Sequence, residues 1–338
     1  MALNVGLVGY GYWGPNLARN FSLNKGCVLA TICEMSPKRA QQAKTAYPNA
    51  KVTERYDDLL EDSSLDAVLI ATPVSTHYEL CRRALEAGKH VFVEKPFTQF
   101  AGQAEELVNL ADKKKLTLAV DHTFLFTGAV RRIRDDVKSG NLGDILYIDS
   151  VRINLGLFQS DVNVIYDLAP HDISILCYLI DEDPVSISAH GATFGLSEFE
   201  SVAYLHLTYP SGMVAHFHMS WLSPVKLRRT IIGGSQKMIV YDDLDQFDKV
   251  KIYDKGVSVK AGDIEALRQA LVDYRSGDMV APHLDRREAL ALEADDFLSA
   301  IVEKRAPISD GRLGLRVMRI LDGAQRSIAS DGRKVTLP

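Results

Sequence analysis

The chain has no excess of positive charge: 39 lysines and arginines stand against 44 acidic residues, a formal net charge of −5. Surfaces that bind nucleic acid are usually basic, so this balance argues against a nucleic-acid partner. No apolar run reaches the ~18 residues that a membrane-spanning helix needs. No basic segment precedes an apolar one near Met1, so no secretion signal is expected and a cytoplasmic protein with no membrane partner is. Cysteine is scarce. Cys27, Cys33, Cys81 and Cys177 form no CxxC pair, and the first two fall in one expected strand. Reduced, mostly buried thiols are expected. His216 and His218 lie two apart on one strand face, but no third ligand is near in sequence, so no metal site is expected. Internal repeats and low-complexity tracts are lacking too.

The 338 residues, 46% of them hydrophobic, suffice for two cores, and two domains is the natural division at this length. In the first, Leu3 to Val8 reads as a strand that runs into Gly9-Tyr10-Gly11-Tyr12-Trp13-Gly14, a GxGxxG, and then a helix. Gly9 permits the tight turn, Gly11 admits a pyrophosphate and Gly14 lets helix pack on strand. Pro15 suits the first turn of that helix, whose free N–H groups would face phosphates. The next strand ends in Glu34, twenty positions after Gly14. An acid there accepts from an adenosine ribose and repels a 2′-phosphate, which points to NAD. Ser36, Lys38 and Arg39 follow and could hold a phosphate instead, leaving NADP open. Glu34 could also be an exposed strand-end acid.

Further strands end in Thr72-Pro73, with His77 just beyond, and in Glu94-Lys95-Pro96. Groups past the carboxyl ends of parallel strands face the ligand crevice, so both turns should lie near a nicotinamide. His77 could equally cap a helix. The alternation of strand and helix implies an α/β Rossmann domain, a parallel doubly wound sheet, over residues 1–121.

Residues 122–338 read differently. Long strands, one hairpin at Ser211-Gly212 and two closing helices imply an α+β domain with a mostly antiparallel open sheet. One helix interrupts the strands. Pro170 places its start near Asp167, since proline fits the first turn without breaking a helix. Asp167 and His171, four apart, can share a face. A carboxylate beside an imidazole suits proton transfer, although a capping Asp with an unrelated core His has the same spacing. On two strands, alternate faces carry Tyr, His and aliphatic groups without Lys or Glu, the composition of an interface.

Together the GxGxxG, Thr72-Pro73 with His77, Glu94-Lys95-Pro96 and Asp167-x-x-x-His171 resemble the Gfo/Idh/MocA family of nicotinamide-dependent oxidoreductases over nearly the whole chain. The resemblance implies Lys95, Asp167 and His171 as the catalytic residues. Cofactor contacts are then expected from Gly9, Gly11, Tyr12, Trp13, Gly14, Glu34, Arg39, Thr72, Pro73, His77, Glu94, Lys95 and Pro96. Candidate substrate contacts are Lys95, His122, Asn163, Tyr166 and His171. It also implies homodimers or homotetramers built through the second-domain sheet. Two departures from the family pattern, Val74 after Thr72-Pro73 and Asn163-Val164-Ile165-Tyr166 before Asp167, touch the rim of the site. The segments around Gly11 and Asp167 look like the branch acting on sugars or nucleotide-linked sugars, with C3 the expected carbon. A non-catalytic NAD(P)-binding sensor on the same fold is expected to lack the Lys or the His; here both are present.

Overall fold

The protein is described from a computed structural model covering residues 2–156, 158, 162–194, 198–255 and 277–337. It divides into two compact units: residues 1–127 with 287–319, and residues 128–286 with 320–338. Among the described residues no helix is long and apolar enough to cross a membrane.

The first unit is built on six parallel strands: β1 (Leu3–Val8), β2 (Cys27–Cys33), β3 (Lys51–Thr53), β4 (Ala67–Ile70), β5 (His90–Val93) and β6 (Leu118–Val120). Their order is β3-β2-β1-β4-β5-β6, the doubly wound arrangement whose order reverses between β1 and β4. β4 is an unbroken apolar run, buried at every residue, as a strand covered on both faces must be. The helices between are α1 (Gly14–Leu23), α2 (Pro37–Ala46), α3 (Asp57–Leu60), α4 (Val74–Glu86) and α5 (Ala101–Lys114). Gly88, just past α4, takes φ +79°, the left-handed turn that ends many helices.

A helix near the end of the sequence, α8 (Ala289–Glu303), also belongs to this unit. It lies beyond the boundary drawn at residue 121 from the sequence. The reason is aromatic packing. Phe297 meets Phe21 and Phe92 edge-on, at ring separations of 6.2 and 5.4 Å, and all three rings are buried.

The second unit is built on nine strands: β7 (Ile145–Leu155), β8 (Ser186–Ala192), β9 (Val202–Thr208), β10 (Val214–Ser220), β11 (Leu222–Gly234), β12 (Met238–Asp242), β13 (Val250–Tyr253), β14 (Met279–Val280) and β15 (Val335–Thr336). The order is β14-β13-β12-β11-β7-β10-β9-β8-β15, antiparallel except where β10 lies parallel to β7. The Ser211-Gly212 hairpin joins β9 to β10, with Gly212 at φ +89°. Alternation sets the faces. Ala215, Phe217 and Met219 on β10, and Ala203, Leu205 and Leu207 on β9, are buried. The opposite face carries Tyr204, His206, His216 and His218, and the Tyr204 ring stacks on His218 at 4.5 Å.

Helices α6 (Gly128–Lys138) and α7 (Val164–Leu179) also belong to this unit. α7 begins earlier than Pro170 suggests. Asn163 is the N-cap, its side-chain oxygen accepting from the Tyr166 N–H at 3.0 Å, and Pro170 lies inside the helix. An Asn cap satisfies an otherwise orphaned N–H, and the helix runs on through Pro170, which forgoes one intrahelical bond. A last helix, α9 (Gly311–Ile328), gives residues 311–319 to the first unit and 320–328 to the second.

Under α7, Arg152 on β7 grips Asp172 through Nε and Nη2 at 2.5 and 3.1 Å, with both side chains almost wholly buried. Ser150 adds a hydroxyl to the same carboxylate at 3.2 Å. Removing one member of a buried pair leaves the other charge uncompensated. Asp172→Ala is therefore expected to cost about 3–5 kcal/mol of stability in urea denaturation; a loss below about 1 kcal/mol would show the pair to be dispensable.

Candidate active site

The carboxyl edge of the first unit's sheet gathers most of the residues picked out from the sequence. The ladder continues one step past each strand: Gly9 N donates to Cys33 O, Ala71 N to Val8 O, Glu94 N to Ile70 O and Asp121 N to Val93 O, at 2.7–2.9 Å. The glycine loop, Glu34, Thr72, Lys95 and His122 thus follow strand ends along a single edge.

The loop after β1 is tight for a definite reason. Gly9 takes φ +91°, and a Cβ there would stand 2.5 Å from the Ala71 carbonyl oxygen. A Cβ on Gly14 would fall 2.2 Å from Gly9 O. Gly11 differs: a Cβ there would meet only Arg39 Nη1, at 3.6 Å, so the backbone at residue 11 is open to a ligand. α1 has no side-chain cap and no acid in its first turn, and Pro15 stands at its start. Its free N–H groups are suited to phosphate. These features fit a dinucleotide. Tyr12 is 93% exposed on this loop, and Trp13 donates from Nε1 to Asp121 Oδ2 at 2.9 Å.

Glu34 is buried rather than an exposed strand-end acid. Its two oxygens accept from Tyr10 N at 2.6 Å and Ser36 N at 2.7 Å. The carboxylate therefore ties the glycine loop to the end of β2. Arg39, exposed, reaches Gly11 from α2.

The turns after β4 and β5 are held together by His77, which is buried. Nδ1 stands 2.9 Å from Pro96 O and Nε2 2.8 Å from Thr72 O. Burial holds this imidazole below its ordinary range; a neutral ring donates to one of the two carbonyls only. The Lys95–Pro96 peptide is cis. Lys95 is half-buried, and its N–H donates to Glu94 Oε2 at 3.2 Å. His122 is 1% exposed, and neither ring nitrogen meets a hydrogen-bond partner among the described residues. Burial, aided by Lys95, pushes its pKa down to about 4.

In the second unit, the first turns of α7 carry Tyr166, Asp167 and His171. Asp167 is not the cap. Its Oδ2 accepts from Trp221 Nε1 at 3.0 Å. Tyr166 Oη donates to Asp322 Oδ1 at 2.7 Å, and Asn163 Nδ2 donates to Glu200 and Gln325 at 2.9 and 2.7 Å. Those two candidate substrate contacts are thus engaged in the unit's own polar network. Sequence reasoning missed Trp221, at the bend between β10 and β11, whose indole steadies Asp167, and Arg152, on β7, which anchors the residue after His171; both are distant in sequence and carry no local signal. Burial pushes the thiols of Cys27 and Cys33 up to about 12 and about 11, and all four cysteines are free and buried. Among the described residues no group of three or more His, Cys, Asp or Glu side chains is placed to hold a metal ion.

A family model described as "Oxidoreductase family, NAD-binding Rossmann fold" (GFO_IDH_MocA) matches residues 3–122, and one for the GFO/IDH/MocA C-terminal domain matches residues 130–240. An uncharacterized oxidoreductase of Escherichia coli (strain K12) is 30% identical over 259 residues, 72% of each chain. UDP-N-acetylglucosamine 3-dehydrogenase of Acidithiobacillus ferrooxidans is 29% identical over 317 residues, 94% of each chain. A solved structure of that enzyme superposes with a TM-score of 0.83 at 26% identity, covering 98% of both chains. A levoglucosan dehydrogenase solved with NADH gives a TM-score of 0.86 over all of both chains at 20% identity, a likeness of fold.

Proposed function

The chain belongs to the Gfo/Idh/MocA family of oxidoreductases with an NAD-binding Rossmann domain, and on that footing we propose that it moves a hydride between a nicotinamide and a secondary alcohol of a sugar. The sugar is a nucleotide-linked pyranose and the carbon is C3, a reading supported by the 29% identical dehydrogenase that spans 94% of the chain. The observation that carries the proposal is the place of Lys95. It follows β5 on the same carboxyl edge as the glycine loop, half-buried, where an ammonium acts with more force than in water.

The nicotinamide, when bound, supplies the hydride acceptor. Lys95 donates to the substrate oxygen and stabilises the charge that grows on it. His171 takes the hydroxyl proton as general base. Asp167, fixed by Trp221, orients the base. Glu34 has its carboxylate set by Tyr10 N and Ser36 N; its remaining lone pairs accept from the ribose hydroxyls, and its charge rejects a 2′-phosphate. The face carrying Tyr204, His206, His216 and His218 is the surface through which copies of the chain pair.

Lys95→Ala is expected to lower turnover by on the order of a hundredfold, the scale for losing one such donor, with NAD affinity kept; near-normal turnover would sink the assignment. Glu34→Ala should weaken NAD binding and narrow the gap to NADP. A wild-type protein that binds NADP more tightly would instead make Ser36, Lys38 and Arg39 the phosphate site. His218→Glu places a charge in the stacked face and should loosen the assembly without unfolding the first unit. Light scattering that finds the wild type monomeric at micromolar concentration would end that idea.

A further inference from the structure

Behind Lys95 lies a cluster that the chemistry above does not use. Glu94, Asp121, His122 and Glu293 are at most 9% exposed. Asp121 is crowded with donors: Trp13 Nε1 reaches Oδ2 at 2.9 Å, and the Thr123 N–H and hydroxyl both reach Oδ1. Glu293 Oε1 accepts from His122 N at 2.9 Å and Ser309 Oγ at 3.2 Å. Glu94 Oε2 accepts from Lys95 N at 3.2 Å. The other oxygen of each glutamate, Glu94 Oε1 and Glu293 Oε2, is buried with no donor among the described residues. Asp121 acts on both carboxyls, through its charge and through a shared side-chain hydrogen bond.

We propose that Glu94 and Glu293 are neutral acids that donate to Asp121, and that Glu293 is a positioning residue which, through this proton-sharing triad, holds the Lys95 turn against the glycine loop. Two buried carboxylates facing a third cannot all ionise, and a buried acceptor without a donor is costly. A proton on each orphan oxygen removes both problems. The orphaned His122 ring points the same way, since an imidazole left neutral beside Asp121 supplies no proton to it. The charged and titratable groups facing the triad are then Lys95 from the turn after β5 and His122 from the end of β6, with Trp13 and Ser309 as neutral donors. Burial, with Asp121 adding repulsion, pushes both glutamates well above the usual carboxylate range.

The triad joins four segments distant in sequence: the glycine loop through Trp13, the end of β5 through Glu94, the end of β6 through Asp121 and α8 through Glu293. Loss of Glu293 would strand His122 N and Ser309 Oγ and remove one arm of the triad, and Lys95 would lose its backing. This role rests on the proposed function of Lys95, but the protonation state does not.

A glutamine keeps the shape and the donor and has no proton to lose. The sign of the pH effect follows. A group whose folded pKa is raised contributes its full stability below the unfolded value near 4.5, and that contribution is lost as pH rises toward the folded value. Wild-type stability should therefore decline as pH rises above about 4.5 toward the raised folded value, and Glu293→Gln should flatten the decline by about one bound proton. Infrared spectra at neutral pH should show a protonated-carboxyl band that E293Q weakens. Glu293→Leu should fold but lower kcat/KM by about tenfold to a hundredfold and raise the Kd for NAD, and E293Q should restore both. If E293Q leaves the pH slope and the band unchanged, Glu293 is ionised and the proposal falls. If E293L turns over and binds NAD like the wild type, the positioning role falls. Absence of sugar oxidation by the wild type would overturn the role at Lys95 while leaving the stability and infrared results to decide the triad.

Discussion

A single backbone contact sets the geometry on which the first unit depends: the Ala71 carbonyl lies where a side chain on residue 9 would begin. Only glycine takes the φ of +91° there without strain, and only glycine at 14 lets α1 start against Gly9 O. With those two positions closed, the open backbone at Gly11 lies at the reversal point of the sheet, between β1 and β4. The continued ladder then brings Thr72, Lys95 and His122 to that same edge. The chemistry proposed for Lys95 follows from this registration, because a lysine two residues earlier would sit inside the fully buried end of β5.

Much of this was legible from local pattern. Apolar runs bounded by Gly9, Thr72-Pro73 and Lys95-Pro96 marked the parallel strands, and period-two alternation on β9 and β10 separated a buried face from one rich in Tyr and His. The family resemblance drew on four short motifs, all of which lie within the residues that the two family models match. The mixed sheet was legible as mostly antiparallel, but the β7–β10 parallel pair was not. Parallel pairing is decided by long crossovers rather than by either strand's own residues.

What the sequence did not reveal is mostly long-range. Asn163 reads as a rim residue, yet it caps α7 and moves the start of that helix ahead of Pro170. Asp172 follows the proposed base and carries no local signal of its burial, yet it meets Arg152 in the core. Glu293 sits in a helix whose pattern says only that one side is apolar; its partners are Asp121, His122 N and Ser309, two of them more than 170 positions away. Phe297, on the same helix, draws α8 into the first unit by aromatic packing. Apart from the Asn163 cap, each of these depends on a partner that no sequence window contains.

The central claim is hydride transfer from a secondary alcohol of a nucleotide-linked sugar to NAD. It is tested most directly by mixing the protein with NAD and a panel of nucleotide sugars and free pyranoses. Absorbance of the reduced cofactor would be followed, and each product weighed by mass spectrometry. The account predicts reduction of NAD with at least one nucleotide-linked pyranose, a product lighter by two hydrogens, and loss of both signals in the Lys95 variant. Reduction of neither NAD nor NADP across the panel, with the cofactor shown to bind, would contradict it.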